Sequence, residues 1–174
     1  MPPAAPRIYL ASKSPRRRDL LRQIGVSFDV IAFRSGGARG ADADVDETPL
    51  DDEPVDRYVE RLAHAKAEAG VRRIQWRRLP QRLVLAADTT LELDGEIIGK
   101  PVDTADARRI LARLSGRSHR VLTAIAVADG ERVRSALSVS EVRFRTLTED
   151  EIRRYVTTGE PMDKAGAYGI QGRA

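Results

Sequence analysis

The stretch "ASKSPRRRDLL", Ala11 to Leu21, gathers Ser12, Lys13, Ser14, Arg16, Arg17 and Arg18 just after an apolar "IYL". A helix start offers unpaired backbone N–H groups and the positive end of a dipole. Serine hydroxyls and arginine forks beside it make a cradle for an anion, phosphate above all. It is not a Walker loop, because the glycine-rich run and its Gly-Lys-Ser/Thr ending are absent. Spacing alone leaves a second reading open, a capped helix with a solvated basic face.

Glu47 in "VDE" and Asp88 in "AADTT" stand where a polar loop and a strand end turn toward the same side of a sheet. Two such carboxylates suit Mg²⁺ or Mn²⁺, which prefer hard oxygen ligands. Taken singly, each also reads as a turn or cap residue. The basic residues are mostly arginine, with lysine only at Lys13, Lys66, Lys100 and Lys164. Lys66 and Lys100 therefore read either as compact charges for phosphate or as surface lysines whose stems cover the core. His119 in "GRSHRV" reads as a strand residue rather than a base.

These residues need a folded frame, and the composition supplies one. A chain of 174 residues fits a single domain with a core of its own. With 41% hydrophobic and 32% charged residues it has the balance of a folded, soluble protein. The absence of cysteine excludes disulfides and thiolate metal sites, and two histidines leave little for zinc. No apolar run approaches the ~20 residues of a membrane span, and "MPPAAPR" lacks a signal-peptide core. A cytoplasmic protein without a membrane partner is expected. The net charge of +4 is spread among interleaved acids, which favours a small anionic ligand over nucleic acid.

The elements follow from pattern. "RIYLA" reads as a buried strand, then Ser14 as N-cap and Pro15 as the first residue of a helix with Leu20, Leu21 and Ile24 as its apolar stripe, ending at Gly25. "VSFDVIA" reads as a strand and Phe33 to Asp52 as a long loop. Val55, Val59, Leu62, Ala63 and Lys66 share a helical face in a helix from Pro54 to Gly70. Asp94-Gly95 marks a hairpin with Asp88 and Lys100 near its outer ends, and Asp129-Gly130 marks a longer one. "DTADARRILARLSG" is a capped helix closing at Gly116, and Thr148 with Glu151 forms a capping box for a last helix. Parallel and antiparallel pairs together predict a mixed α/β sheet.

"LASKSPRRRDLL", "VDE", "RLAHAKA", "AADTTLELDGEIIGKP", "LSGRSHRVLTAIAV" and "GEPMDKAGAYGIQG" occur in this order across nearly the whole chain. Together they resemble the Maf family of nucleoside triphosphate pyrophosphatases. The resemblance implies an α/β fold like that of the inosine triphosphate pyrophosphatases. Its curved mixed central sheet lies between two lobes with helices, and the nucleotide cleft is between the lobes. It implies hydrolysis between the α and β phosphates, giving the monophosphate and pyrophosphate, with a divalent cation, Mg²⁺ or Mn²⁺. The family's phosphate-binding serine and arginines fall on Ser12, Arg16 and Arg17, its essential acids on Glu47 and Asp88, its lysines on Lys66 and Lys100, and its late glutamine on Gln171. On that reading Glu47 and Asp88 hold the metal, and Asp88 is the better candidate for general base.

The segment "GEPMDKAGAYGIQG" resembles the branch that takes dTTP and UTP rather than 7-methyl-GTP. Modified uridine nucleotides then belong to the same substrate class, and cleaning of the nucleotide pool is the implied role. Gln171 and the backbone from Ala165 to Gly169 are the candidates for reading the base, while Tyr168 reads as a base stacker or a core residue. The family resemblance also implies a homodimer. The loop around "SGGARGADAD" is longer than the family's, and the chain is expected to be one Maf-like domain over 1–174 without the family's C-terminal strand and tail. The competing expectation is a non-catalytic nucleotide-binding regulator of cell division or septum formation, which would bind nucleotide without turnover.

Overall fold

The computed structural model describes residues 6–32, 35–36, 41–42, 45–130 and 132–174. Its strands are β1 (Ile8–Leu10), β2 (Phe28–Val30), β3 (Ser35–Gly36), β4 (Ala41–Asp42), β5 (Val84–Leu93), β6 (Glu96–Ile98), β7 (Ser118–Asp129) and β8 (Arg132–Arg143). Its α-helices are α1 (Pro15–Gln23), α2 (Val55–Trp76), α3 (Thr104–Leu114) and α4 (Glu149–Thr157), followed by 3₁₀ turns at Glu160–Asp163 and Ala165–Ala167. The six-stranded sheet has the order β2-β1-β5-β7-β8, with β6 paired to β5. Parallel pairs (β1 with β2 and β5) and an antiparallel one (β5 with β6) make it the mixed α/β sheet expected. The chain divides into two compact units. The first is Met1–Glu53, Arg57–Asp88 and Ala124–Leu137; the second is Pro54–Asp56, Thr89–Thr123 and Ser138–Ala174.

In the first unit β1 is flanked on both sides, in register Tyr9↔Asp29 and Tyr9↔Val84, so Tyr9 and Leu10 are buried and Ile8 partly so. Ser14 is the N-cap and Pro15 opens α1, but Ser14's side chain makes no capping bond. The helix ends as a Schellman motif: Gly25, at φ 73°, donates to Arg22 O, and Val26 donates to Leu21 O. The expected apolar stripe is narrower than predicted. Leu21 is buried, whereas Leu20 is 46% and Ile24 72% exposed.

The second helix buries Val55, Val59, Leu62, Ala63 and Lys66 as their spacing predicts, and Ala67 with them. It continues past Gly70, the expected boundary, to Trp76. Gly70 serves close packing instead of termination: a Cβ there would lie 2.6 Å from Val84 Cγ1 and 3.2 Å from Ala11 Cβ. Of the loop expected over 33–52, residues 33–34, 37–40 and 43–44 lie outside the described residues; β3 and β4 form a two-residue antiparallel pair within it.

In the second unit Leu93 pairs with Glu96, leaving Asp94 (φ 54°) and Gly95 (φ 82°) as a two-residue left-handed turn. The β5–β6 ladder covers only Leu91 to Leu93 and Glu96 to Ile98, so Asp88 stands inside β5 and Lys100 beyond β6, not at the ends of a paired hairpin as predicted. Asp103 caps α3 by accepting from the Asp106 N–H, and the Thr148–Glu151 capping box opens α4. Leu91, Leu93, Leu111, Leu114, Ile152 and Val156 are buried in this unit's core.

Candidate active site

Ser12 follows β1, and Asp88 lies three residues beyond Leu85, which pairs with Leu10 in the parallel register. Both thus stand on the carboxyl side of a parallel strand pair, where open α/β sheets hold ligands. Ser12 is buried, and its Oγ accepts from the Ser14 N–H at 3.2 Å and from Arg17 Nη1 at 3.3 Å. The same Nη1 donates to the Ala87 carbonyl at 2.7 Å, so Arg17 ties the start of α1 to the residue before Asp88. No acidic side chain occupies the first turn of α1. Arg16 is half-buried in that turn with no ion-pair partner among the described residues. Ser14 thus holds the N-cap position without a side-chain capping bond, and the first turn of α1 carries no acid to offset its arginines.

The acids meet on one lysine. Lys66 Nζ donates to Asp88 Oδ1 at 2.7 Å and lies 2.7 Å from Glu47 Oε1. The Lys66 and Asp88 side chains are only 10% and 11% exposed, and Glu47 is half-buried. Burial alone would pull the Lys66 ammonium down. The carboxylates of Asp88 and Glu47 outweigh it and hold the group above its ordinary value, firmly charged. The lysine at the edge of α2's buried face is thus explained by charge pairing rather than by a stem over the core.

Sequence reasoning missed Tyr58 and Arg61. The Tyr58 hydroxyl donates to the Glu47 carbonyl at 2.9 Å. Arg61 donates to the Thr48 carbonyl at 3.1 Å and grips both Glu53 oxygens at 2.6 and 2.7 Å. Three residues apart on α2, they fasten the segment that carries Glu47. Burial and the nearby Asp88 and Glu47 charges push the Tyr58 phenol up to about 12. Arg61 stands five positions before Lys66, well around α2 from it, so no helical spacing joined the three in the sequence.

The remaining predicted residues belong to the second unit. Lys100 and Gln171 are both exposed there. His119 lies in β7, buried, with Nε2 2.6 Å from the Tyr168 hydroxyl, and burial lowers its basicity. Phe144 and Tyr168 pack edge-on against its ring at 5.1 and 5.5 Å between centroids. His119 is a strand residue, as expected, and Tyr168 takes the core alternative.

Among the described residues no three acidic or histidine side chains form a metal cluster. The donor set nonetheless fits a hard cation that takes one or two carboxylates and fills its other positions with water and phosphate oxygens. Glu47 and Asp88 already converge on one positive charge, the Lys66 ammonium.

The buried Asp88 and the half-buried Glu47, bridged by Lys66, stand beside the Ser12–Arg17 contact in an open α/β sheet. A profile described as Maf-like protein matches residues 7–174, and the chain belongs to the Maf family. It is 72% identical over 174 residues to the dTTP/UTP pyrophosphatase of Aromatoleum aromaticum, covering all of this chain and 84% of that one. Over 168 residues it is 60% identical to the dTTP/UTP pyrophosphatase of Dechloromonas aromatica, covering 97% of this chain and 83% of that one. A protein of the same name from Ralstonia nicotianae is 54% identical over 171 residues, covering 97% and 80%. Among the described residues no helix is long and apolar enough to cross a membrane.

Proposed function

We propose that this chain hydrolyses nucleoside triphosphates, dTTP and UTP in particular, to the monophosphate and pyrophosphate. The observation that carries the reading is the Glu47–Lys66–Asp88 bridge beside the Ser12–Arg17 cradle. It stands in a chain closely similar to proteins named for that activity. Phosphoryl transfer asks a protein mainly for alignment and charge neutralisation.

In this mechanism Ser12, Arg16, Arg17 and the first N–H groups of α1 bind the polyphosphate oxygens, and Lys66 and Lys100 offset their charge. Asp88 orients the attacking water and takes its proton as the new bond to the α-phosphorus forms. The bond from that phosphorus to the oxygen bridging it to the β-phosphate then breaks, and pyrophosphate leaves. Glu47 and Asp88 would hold Mg²⁺ or Mn²⁺, which when bound supplies further charge neutralisation at the phosphates. Gln171 pairs with the base edge. The role is cleaning of the nucleotide pool, modified uridine nucleotides included, in a cytoplasmic homodimer.

The test is pyrophosphate release from dTTP, UTP, 7-methyl-GTP, ATP and dCTP with Mg²⁺ or Mn²⁺, beside an Asp88→Asn variant. Release from dTTP and UTP that disappears in the variant supports the reading. Nucleotide binding with no turnover by the folded wild type would overturn it in favour of a regulatory binding protein.

A further inference from the structure

The loop that carries Gln171 is tied at both ends to two side chains that no catalytic step uses. The Gly169 N–H donates to the Tyr155 Oη at 3.2 Å, and the Tyr155 hydroxyl donates to Glu160 Oε1 at 2.9 Å. The Arg173 N–H donates to both Glu160 oxygens, at 3.1 and 3.2 Å. Between these anchors the Gly172 N–H closes on the Gly169 carbonyl at 2.8 Å. A Cβ on Gly172 would lie 2.0 Å from Glu160 Oε1, so the main chain is wrapped directly onto the carboxylate. Glu160 has no cationic side chain paired with it among the described residues; its oxygens serve a phenol and a backbone amide.

We propose that Tyr155 and Glu160 are positioning residues that set base preference by holding Gln171, an inference that rests on the pyrophosphatase reading above. A glutamine discriminates between bases only if its amide is held where the right base pairs and the wrong one leaves it unpaired. Gln171 is exposed, and packing does not hold it. On a loose loop it would have to be ordered at each binding event, which costs affinity. The two anchors on either side of Gln171 do that ordering within the fold. Tyr155 is fixed by α4 and Glu160 by the 3₁₀ turn that follows it.

The test compares wild type with Tyr155→Phe, Glu160→Ala, Glu160→Gln, Gln171→Ala and the Tyr155→Phe/Gln171→Ala double variant, on dTTP and dCTP. Losing the anchor is expected to raise KM for dTTP about tenfold, with kcat held within about twofold. The ratio of kcat/KM for dTTP over dCTP should shrink similarly in Tyr155→Phe and Glu160→Ala. Glu160→Gln keeps an acceptor for the Arg173 N–H and should retain most of the ratio. Adding Tyr155→Phe to Gln171→Ala should change the ratio no further. An unchanged ratio in Tyr155→Phe and Glu160→Ala, beside a wild type that discriminates, overturns this inference and leaves the pyrophosphatase reading standing. Equal loss of kcat on both nucleotides overturns it too, because that marks general damage. A wild type that releases no pyrophosphate from any nucleotide overturns both.

Discussion

Lys66 on α2 donates to Asp88 on β5 at 2.7 Å with both side chains about nine-tenths buried. A pair so placed is costly to break, because removing one partner leaves the other charged and unpaired in a poor solvent. Lys66→Met should lower the unfolding free energy by about 3 kcal/mol, measured by urea denaturation. Asp88→Asn, which keeps shape and a partner for the ammonium, should cost clearly less while abolishing turnover.

Arg17 serves two acceptors with one nitrogen, Ser12 Oγ and the Ala87 carbonyl. Lysine reaches as a single charge without the planar fork, so Arg17→Lys should keep the fold and lose activity. A fall of about tenfold in kcat/KM, with melting temperature within a few degrees, is the expected result. An unchanged kcat/KM would remove Arg17 from the phosphate cradle.

Tyr58 reaches Glu47 only through its hydroxyl, at the Glu47 carbonyl. Tyr58→Phe keeps the ring and deletes that tether, at a cost of about 1 kcal/mol in stability. The loss should fall on kcat more than on KM, since the polyphosphate contacts assigned to Ser12 and Arg17 are untouched. Steady-state kinetics on dTTP measures the split.

Gly70 leaves no room for a methyl group, with Val84 Cγ1 2.6 Å from where its Cβ would be. Ala is the better helix former, yet Gly70→Ala should destabilise the protein by about 1–3 kcal/mol through overpacking. The sign of the change in urea midpoint decides between propensity and packing.

Arg145 and the Thr148 amide and hydroxyl hold Glu151 down to about 2, against an ordinary 4.5. A carboxylate depressed in the fold adds stability that is complete above its unfolded value and is lost as pH falls through the folded one. The melting temperature gap between wild type and Glu151→Gln should therefore be constant above about pH 5. It should narrow as pH drops from 4.5 toward 2.

Local signals were read well where one residue decides the geometry. Asp94-Gly95, Pro15, Gly25 and the Thr148–Glu151 box all fixed turns or caps through their own chemistry. Gly70 misled because the same absence of a side chain serves both a helix stop and a close approach, and only Val84, fourteen residues on, distinguishes them. Leu20 and Ile24 misled because periodicity gives a face but not how much of it tertiary packing covers. In the candidate site the residue types pointed to anions and acids, but the convergence of Glu47 and Asp88 on Lys66 needed the tertiary fold. Tyr58 and Arg61 stayed hidden because their bonds to Glu47 and Thr48 go to main-chain carbonyls, which carry no sequence identity.

The Asp94-Gly95 turn also bears on the chemistry of its own peptide link. Aspartyl-glycyl pairs rearrange when the glycine nitrogen attacks the neighbouring carboxyl to close a succinimide ring, which reopens largely as isoaspartate. Here Arg117 holds both carboxylate oxygens of Asp94, at 2.7 and 2.5 Å, and Glu92 Oε1 accepts from the Gly95 N–H at 3.2 Å. Nucleophile and electrophile are each engaged elsewhere, within a backbone whose two left-handed residues resist rotation. At this Asp-Gly pair the groups that such a rearrangement requires are thus held in other hydrogen bonds.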